Sequence, residues 1–144
     1  MNSLALAAAL VWLPPSGFSQ WSMVDALMRE KPDLKLTIAL SPSMATPLAK
    51  AALAPWVAAG RLELAARLAG EAPLPLIAAH PVAPRPDDAV ERAAEACQAI
   101  QTKLEAGPAG FVPGGGALDP SLIGPLGATT AQSSVGATSG ICHS

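Results

Sequence analysis

Aromatic side chains make up only 3% of this 144-residue chain, and charged ones only 14%. With so few rings, a core has to be built from Leu, Ile, Val and Ala, with Trp12, Trp21 and Trp56 as its largest pieces. Charge is missing from both ends: no charged side chain precedes Asp25, and no Lys or Arg follows Lys103. The net charge is −2 with no basic cluster, which excludes the electrostatic footprint of a nucleic-acid-binding protein. The two cysteines, Cys97 and Cys142, have no metal-ligand spacing, and Cys97 falls in a helical pattern where a buried, inert thiol is expected. The paired Asp and His-x-x-x-His ligands of a deacetylase-like metal hydrolase are also lacking. No metal or cofactor is therefore expected.

Hydrophobic residues, by contrast, reach 51%, and fifteen prolines and twelve glycines exceed average usage. The length suits one ordinary domain. From Met1 to Leu13 the chain is apolar apart from Asn2 and Ser3. One reading is a secretory signal, with Gly17 and Ser19 spaced like a cleavage site, although no Lys or Arg opens it. The other is a buried first strand, Leu4 to Trp12, closed by Pro14-Pro15, since a parallel strand covered on both faces is continuously apolar. The run is too short to span a bilayer, so no membrane partner is expected. The chain is read as cytoplasmic, with export as the alternative.

Helix and strand signals then alternate. Ser19 is positioned to cap a helix to about Lys31, with Met23, Val24, Leu27 and Met28 as its apolar stripe and Pro32 as its stop. Leu34 to Leu40 reads as a strand ending in the loop Ser41-Pro42-Ser43. A short helix, Ala45 to Leu53, is bent or ended by Pro55. Gly60 resembles a helix stop, and Leu62/Leu64 alternation reads as a strand. Leu74 to Ala79 is a further apolar run, ending at His80-Pro81. Asp87 opens the clearest helix, to Leu104, with Val90, Ala93, Ala94, Cys97, Ile100 and Leu104 on one stripe and Gly107 as its stop. Such an order predicts an α/β fold with parallel strands and right-handed crossovers.

Gly107 to Ile123 follows as a short strand (Ala109 to Val112), a glycine loop (Gly114 to Gly116) and a helix start at Asp119-Pro120. Ligands meet parallel sheets at such strand ends. Yet the loop holds no acid, base, thiol or hydroxyl before Asp119, which is most simply a helix cap. It also lacks the Lys-Ser/Thr ending and the spacing of a phosphate cradle. From residue 128 onward, Ser, Thr and Gly dominate without periodicity, which predicts a disordered tail over 128–144 after a folded unit over 1–127.

Three motifs together resemble the N-terminal catalytic domain of glycoside hydrolase family 57. They are Pro32 to Ser43 (P-D-L-K-L-T-I-A-L-S-P-S), Gly60 to Leu64 (G-R-L-E-L) with His80-Pro81 beyond it, and Gly110 to Asp119 after a long helix, similar to that family's nucleophile loop. The resemblance spans Leu4 to Gly127 and implies a (β/α) barrel acting on α-glucans with retention, through a nucleophile and an acid/base carboxylate. By position the nucleophile slot falls on Gly115, between Gly114 and Gly116, and glycine has no oxygen to attack a sugar. The second carboxylate lies beyond residue 144. The sugar-contacting histidines expected after the first strand are replaced by Trp12-Leu13-Pro14-Pro15.

No catalytic residue is therefore assigned. The candidate substrate-binding residues are Glu63, His80 and Trp12. Each has a plainer reading: a solvated charge, a loop histidine before proline, and a core tryptophan. The expectation is an incomplete (β/α) barrel-like parallel sheet of four to five strands with flanking helices, a truncated or degenerate pseudoenzyme. Its expected ligand is an α-glucan or oligosaccharide, with self-association through an open sheet edge. The alternative is an exported non-catalytic binding or interaction protein.

Overall fold

The computed structural model describes residues 10–68, 86–114 and 120–127. The apolar run Leu74 to Ala79, His80, Gly115, Gly116, Asp119, Cys142, the tail and the chain before Leu10 lie outside the described residues. Four strands, β1 (Leu10–Trp12), β2 (Leu36–Leu40), β3 (Leu62–Ala66) and β4 (Gly110–Phe111), form one parallel sheet in the order β1-β2-β3-β4. Between them run α1 (Trp21–Glu30), α2 (Pro47–Ala58) and α3 (Pro86–Leu104). A 3-10 turn, Pro120–Leu122, leads into helical residues 123–127. The fold is thus α/β, as the alternation of signals predicts. Among the described residues β1 and β4 are the two edges, and the sheet does not close.

Register fixes the faces. Leu10, Leu36 and Leu62 align across the sheet, as do Trp12, Ile38 and Leu64. Leu36, Ile38 and Leu40 of β2 share one buried cluster with Leu62, Leu64 and Ala66 of β3. The same cluster takes Trp21, Val24 and Met28 from α1, Ala49 and Leu53 from α2, and Cys97, Ile100 and Leu104 from α3. All three helices therefore cover one face, which right-handed crossovers between sequential parallel strands produce. Ile38 is fully buried, worth about 1.5–3 kcal/mol against exposure. The opposite face carries Thr37, Ala39, Glu63 and Ala65, because successive strand residues alternate. A second cluster joins Ala89, Ala93 and Ala96 of α3 to Leu68, Leu122 and Leu126.

Local sequence explains the helix ends, with four departures from expectation. Helix α1 starts after Gln20, which makes no side-chain cap bond, so Ser19 is not the cap. Its buried stripe is Trp21, Val24 and Met28, while Met23 and Leu27 are exposed. The indole of Trp21 is the largest apolar body on the helix, and it turns that side inward. Helix α2 passes through Pro55 to Ala58. Thr46 caps it by accepting from the Ala49 N–H at 3.2 Å, Pro47 occupies its first turn, and Pro55 is exposed near its end, where the missing donor is least costly. Gly60 at φ +67° ends that segment as expected. After α3, by contrast, the left-handed residue is Glu105 at φ 55°, not Gly107.

Asp25 ties α1 to α2. It accepts from Trp56 Nε1 at 2.9 Å and from Arg29 Nε at 3.0 Å. The guanidinium of Arg61 lies 5.0 Å from the Trp56 ring centroid and donates to the carbonyls of Met28 and Lys31, which closes the C-terminus of α1. The bonds from Arg29 and Trp56 hold the Asp25 carboxyl below the ordinary carboxylate value. Its stabilising contribution is therefore present above the unfolded-state pKa and is lost as pH falls through the lower folded value. Asp25→Asn should flatten the acid side of the stability profile. Urea midpoints measured from neutral pH down to about pH 3 check this, and parallel profiles for the two proteins would refute it.

Candidate functional site

In parallel α/β sheets, ligand chemistry gathers where strands end at their carboxyl edge. Four described segments leave that edge: residues 13–20, 41–46, 67–68 and 112–114. None of them contains Asp, Glu, His or Cys. Their one charged side chain is Arg67, only 3% exposed. It follows β3 directly, and its backbone N–H continues the ladder to the Leu40 carbonyl at 2.9 Å. The guanidinium donates to the carbonyl of Pro14 and reaches Met44 Sδ at 3.3 Å. Arg67 thereby fastens the loop after β1 and the turn after β2 to the end of β3.

Apart from the amide of Gln20, the remaining polar side chains of these segments are hydroxyls. Ser41, 7% exposed, lies 3.0 Å from Ser43, oxygen to oxygen. Ser19, Ser43 and Thr46 line a recess of about 420 Å³ with Phe18, Trp21, Met44 and Leu48. Phe18 stands edge-on to Trp12 at 5.0 Å and to Trp21 at 4.9 Å. Gly114 is buried at the end of the segment that follows β4. The arrangement supplies hydrogen bonds and apolar surface. Among the described residues of these segments no Asp, Glu, His or Cys stands beside the hydroxyls to activate them.

The sequence-predicted residues do not converge. Trp12 is the last residue of β1 and packs, half-buried, against the helix-covered cluster. Glu63 pairs with Thr37 near the amino end of β3 and is exposed. It lies on the opposite face from Trp12, about 10 Å before the carboxyl edge, from a rise of roughly 3.3 Å per residue. Arg67 was not anticipated. Its signal was a single cation set between the buried Ala66 and Leu68 in a chain poor in charge. Among the described residues, no group of His, Cys, Asp and Glu is gathered to hold a metal ion. No described helix is long and apolar enough to cross a membrane.

No family model, curated protein or solved structure matches this chain.

Removing Arg67 leaves a buried carbonyl without its donor, a loss of about 2–3 kcal/mol for a bond from a charged group. Arg67→Met should lower the urea midpoint accordingly and change the emission of Trp12, which immediately precedes the anchored loop. A midpoint within experimental error of wild type would show that the guanidinium is not a tie.

Proposed function

We propose that this chain is a non-catalytic half-barrel protein of the glycoside hydrolase family 57 type, serving α-glucan metabolism without breaking glycosidic bonds itself. Two lines support the reading. One is architectural: sequential parallel strands with α1, α2 and α3 on one face are the arrangement of (β/α) barrel strands, which open doubly wound sheets with helices on both faces do not share. The other is chemical and carries the proposal. The described segments at the strand ends hold hydroxyls and a buried guanidinium, and the position matching the family's nucleophile is Gly115. Retaining hydrolysis needs two carboxylates flanking the bond. Removing the one that forms the covalent intermediate costs on the order of 10⁴-fold or more in rate.

A second reading, a non-catalytic interaction protein, is favoured by one observation. Leu10, Val11, Leu13, Met23 and Leu27 are all between 42% and 61% exposed around the first strand and helix. Under that reading the occupied surface is this apolar one, not the hydroxyl-lined strand ends.

The test is direct. Full-length protein incubated with maltoheptaose should release no retained-anomer product by NMR, and its migration should be retarded in native gels containing glycogen. Turnover would refute the non-catalytic assignment. Unchanged migration would refute the glucan assignment and leave the interaction reading.

A further inference from the structure

Strand β1 is apolar and half-exposed on both faces. Leu10 is 52% exposed on the helix-covered face, and Val11 and Leu13, at 48% and 46%, lie on the other. Its ladder among the described residues runs to β2 alone. Beside it, α1 presents Met23 at 61% and Leu27 at 42% exposure. These two residues, with Leu10, Val11 and Trp12, line a groove of about 450 Å³ between strand and helix, and no charged residue lines it. Among the described residues, an edge strand and the helix next to it are thus uncovered in one continuous place.

We propose that this edge is the interface of a two-fold dimer, occupied by a second copy of this chain. Two features select a copy over an unrelated partner. The first is charge. No charged side chain precedes Asp25, so patch meets patch with no like-charge repulsion and no buried unpaired ion. The second is area. Five apolar side chains, each about half exposed, present on the order of 400 Å² per copy, which is a large patch for a monomer. Two such patches with the strand backbone between them reach the ~1,000 Å² of a specific interface. A two-fold axis normal to the sheet runs the two β1 strands antiparallel and keeps α1, α2 and α3 of both copies on one side. Met23 and Leu27 of the two copies then meet above the joined edge, and Val11 sits opposite its own counterpart. The pairing is independent of the glucan assignment, since no residue of the hydroxyl-lined recess other than Phe18 touches the groove.

Sedimentation of the full chain should give twice the 14.5 kDa mass of one copy. The double variant Met23→Glu/Leu27→Glu changes only exposed positions; it should sediment as a monomer with an unchanged far-UV circular dichroism spectrum. In a Cys142→Ser background, Val11→Cys should oxidise to a covalent dimer, because facing Cβ atoms ~5 Å apart suit a disulfide. Leu48→Cys, at a 71% exposed position on α2, should not. A wild-type monomer, larger assemblies insensitive to the double variant, or equal cross-linking at positions 11 and 48 would each overturn the proposal.

Discussion

Crossover handedness is the constraint on which the rest of this structure depends. Four parallel strands laid down in sequence order with α1, α2 and α3 on one face are what crossovers of a single hand produce, and the right hand is the rule. One face then becomes dry, and β2 and β3 must read as large apolar residues at every second position. Leu36, Ile38, Leu40, Leu62 and Leu64 do so. The other face is released from that demand, and there the same strands carry Thr37, Ala39, Glu63 and Ala65. The scarcity of aromatic residues is tolerable because a one-sided sheet under short helices needs breadth of aliphatic surface more than large rings.

The same topology concentrates polar problems at the strand ends. Loops leaving a parallel sheet carry backbone groups with no ladder partner, and here a buried guanidinium serves the carbonyl of Pro14. At 3% exposed, that guanidinium is held away from solvent with one nitrogen on Pro14 and Met44. Two lysines of the outer layer are likewise engaged in structure. Lys103 donates to the Pro42 carbonyl at 2.9 Å, holding the end of α3 against the turn after β2, and Lys50 of α2 pairs at 2.5 Å with Glu105, just past that end.

Most of the fold was legible in the sequence. The strand within Leu34 to Leu40, the glycine stop at Gly60 and the long helix closed by Leu104 each follow from a local pattern strong enough to survive tertiary packing. What was not legible turned on comparisons that a sequence does not make. Helix α1 has two apolar stripes, and only packing shows that Trp21, Val24 and Met28 displace Met23 and Leu27 from the interior. Pro55 reads as a bend or a stop, and near the end of a capped helix it removes one bond from an exposed turn without ending the helix. Glu105 takes the left-handed position that Gly107 seemed made for, because the chain must turn sooner to enter β4. At the candidate site the sequence motifs located the strand ends but not their chemistry. Arg67 has no motif, and the separation of Glu63 from Trp12 follows from register, which residue spacing alone does not reveal.

Glu63 also limits what closure of this sheet could look like. It projects from the face that a completed barrel would turn toward its lumen, and it is exposed beside the buried Ala39 and Ala65. A carboxylate at that depth forbids a purely hydrocarbon plug: whatever seals the lumen has to bring a cation or keep a hydrated channel open to it.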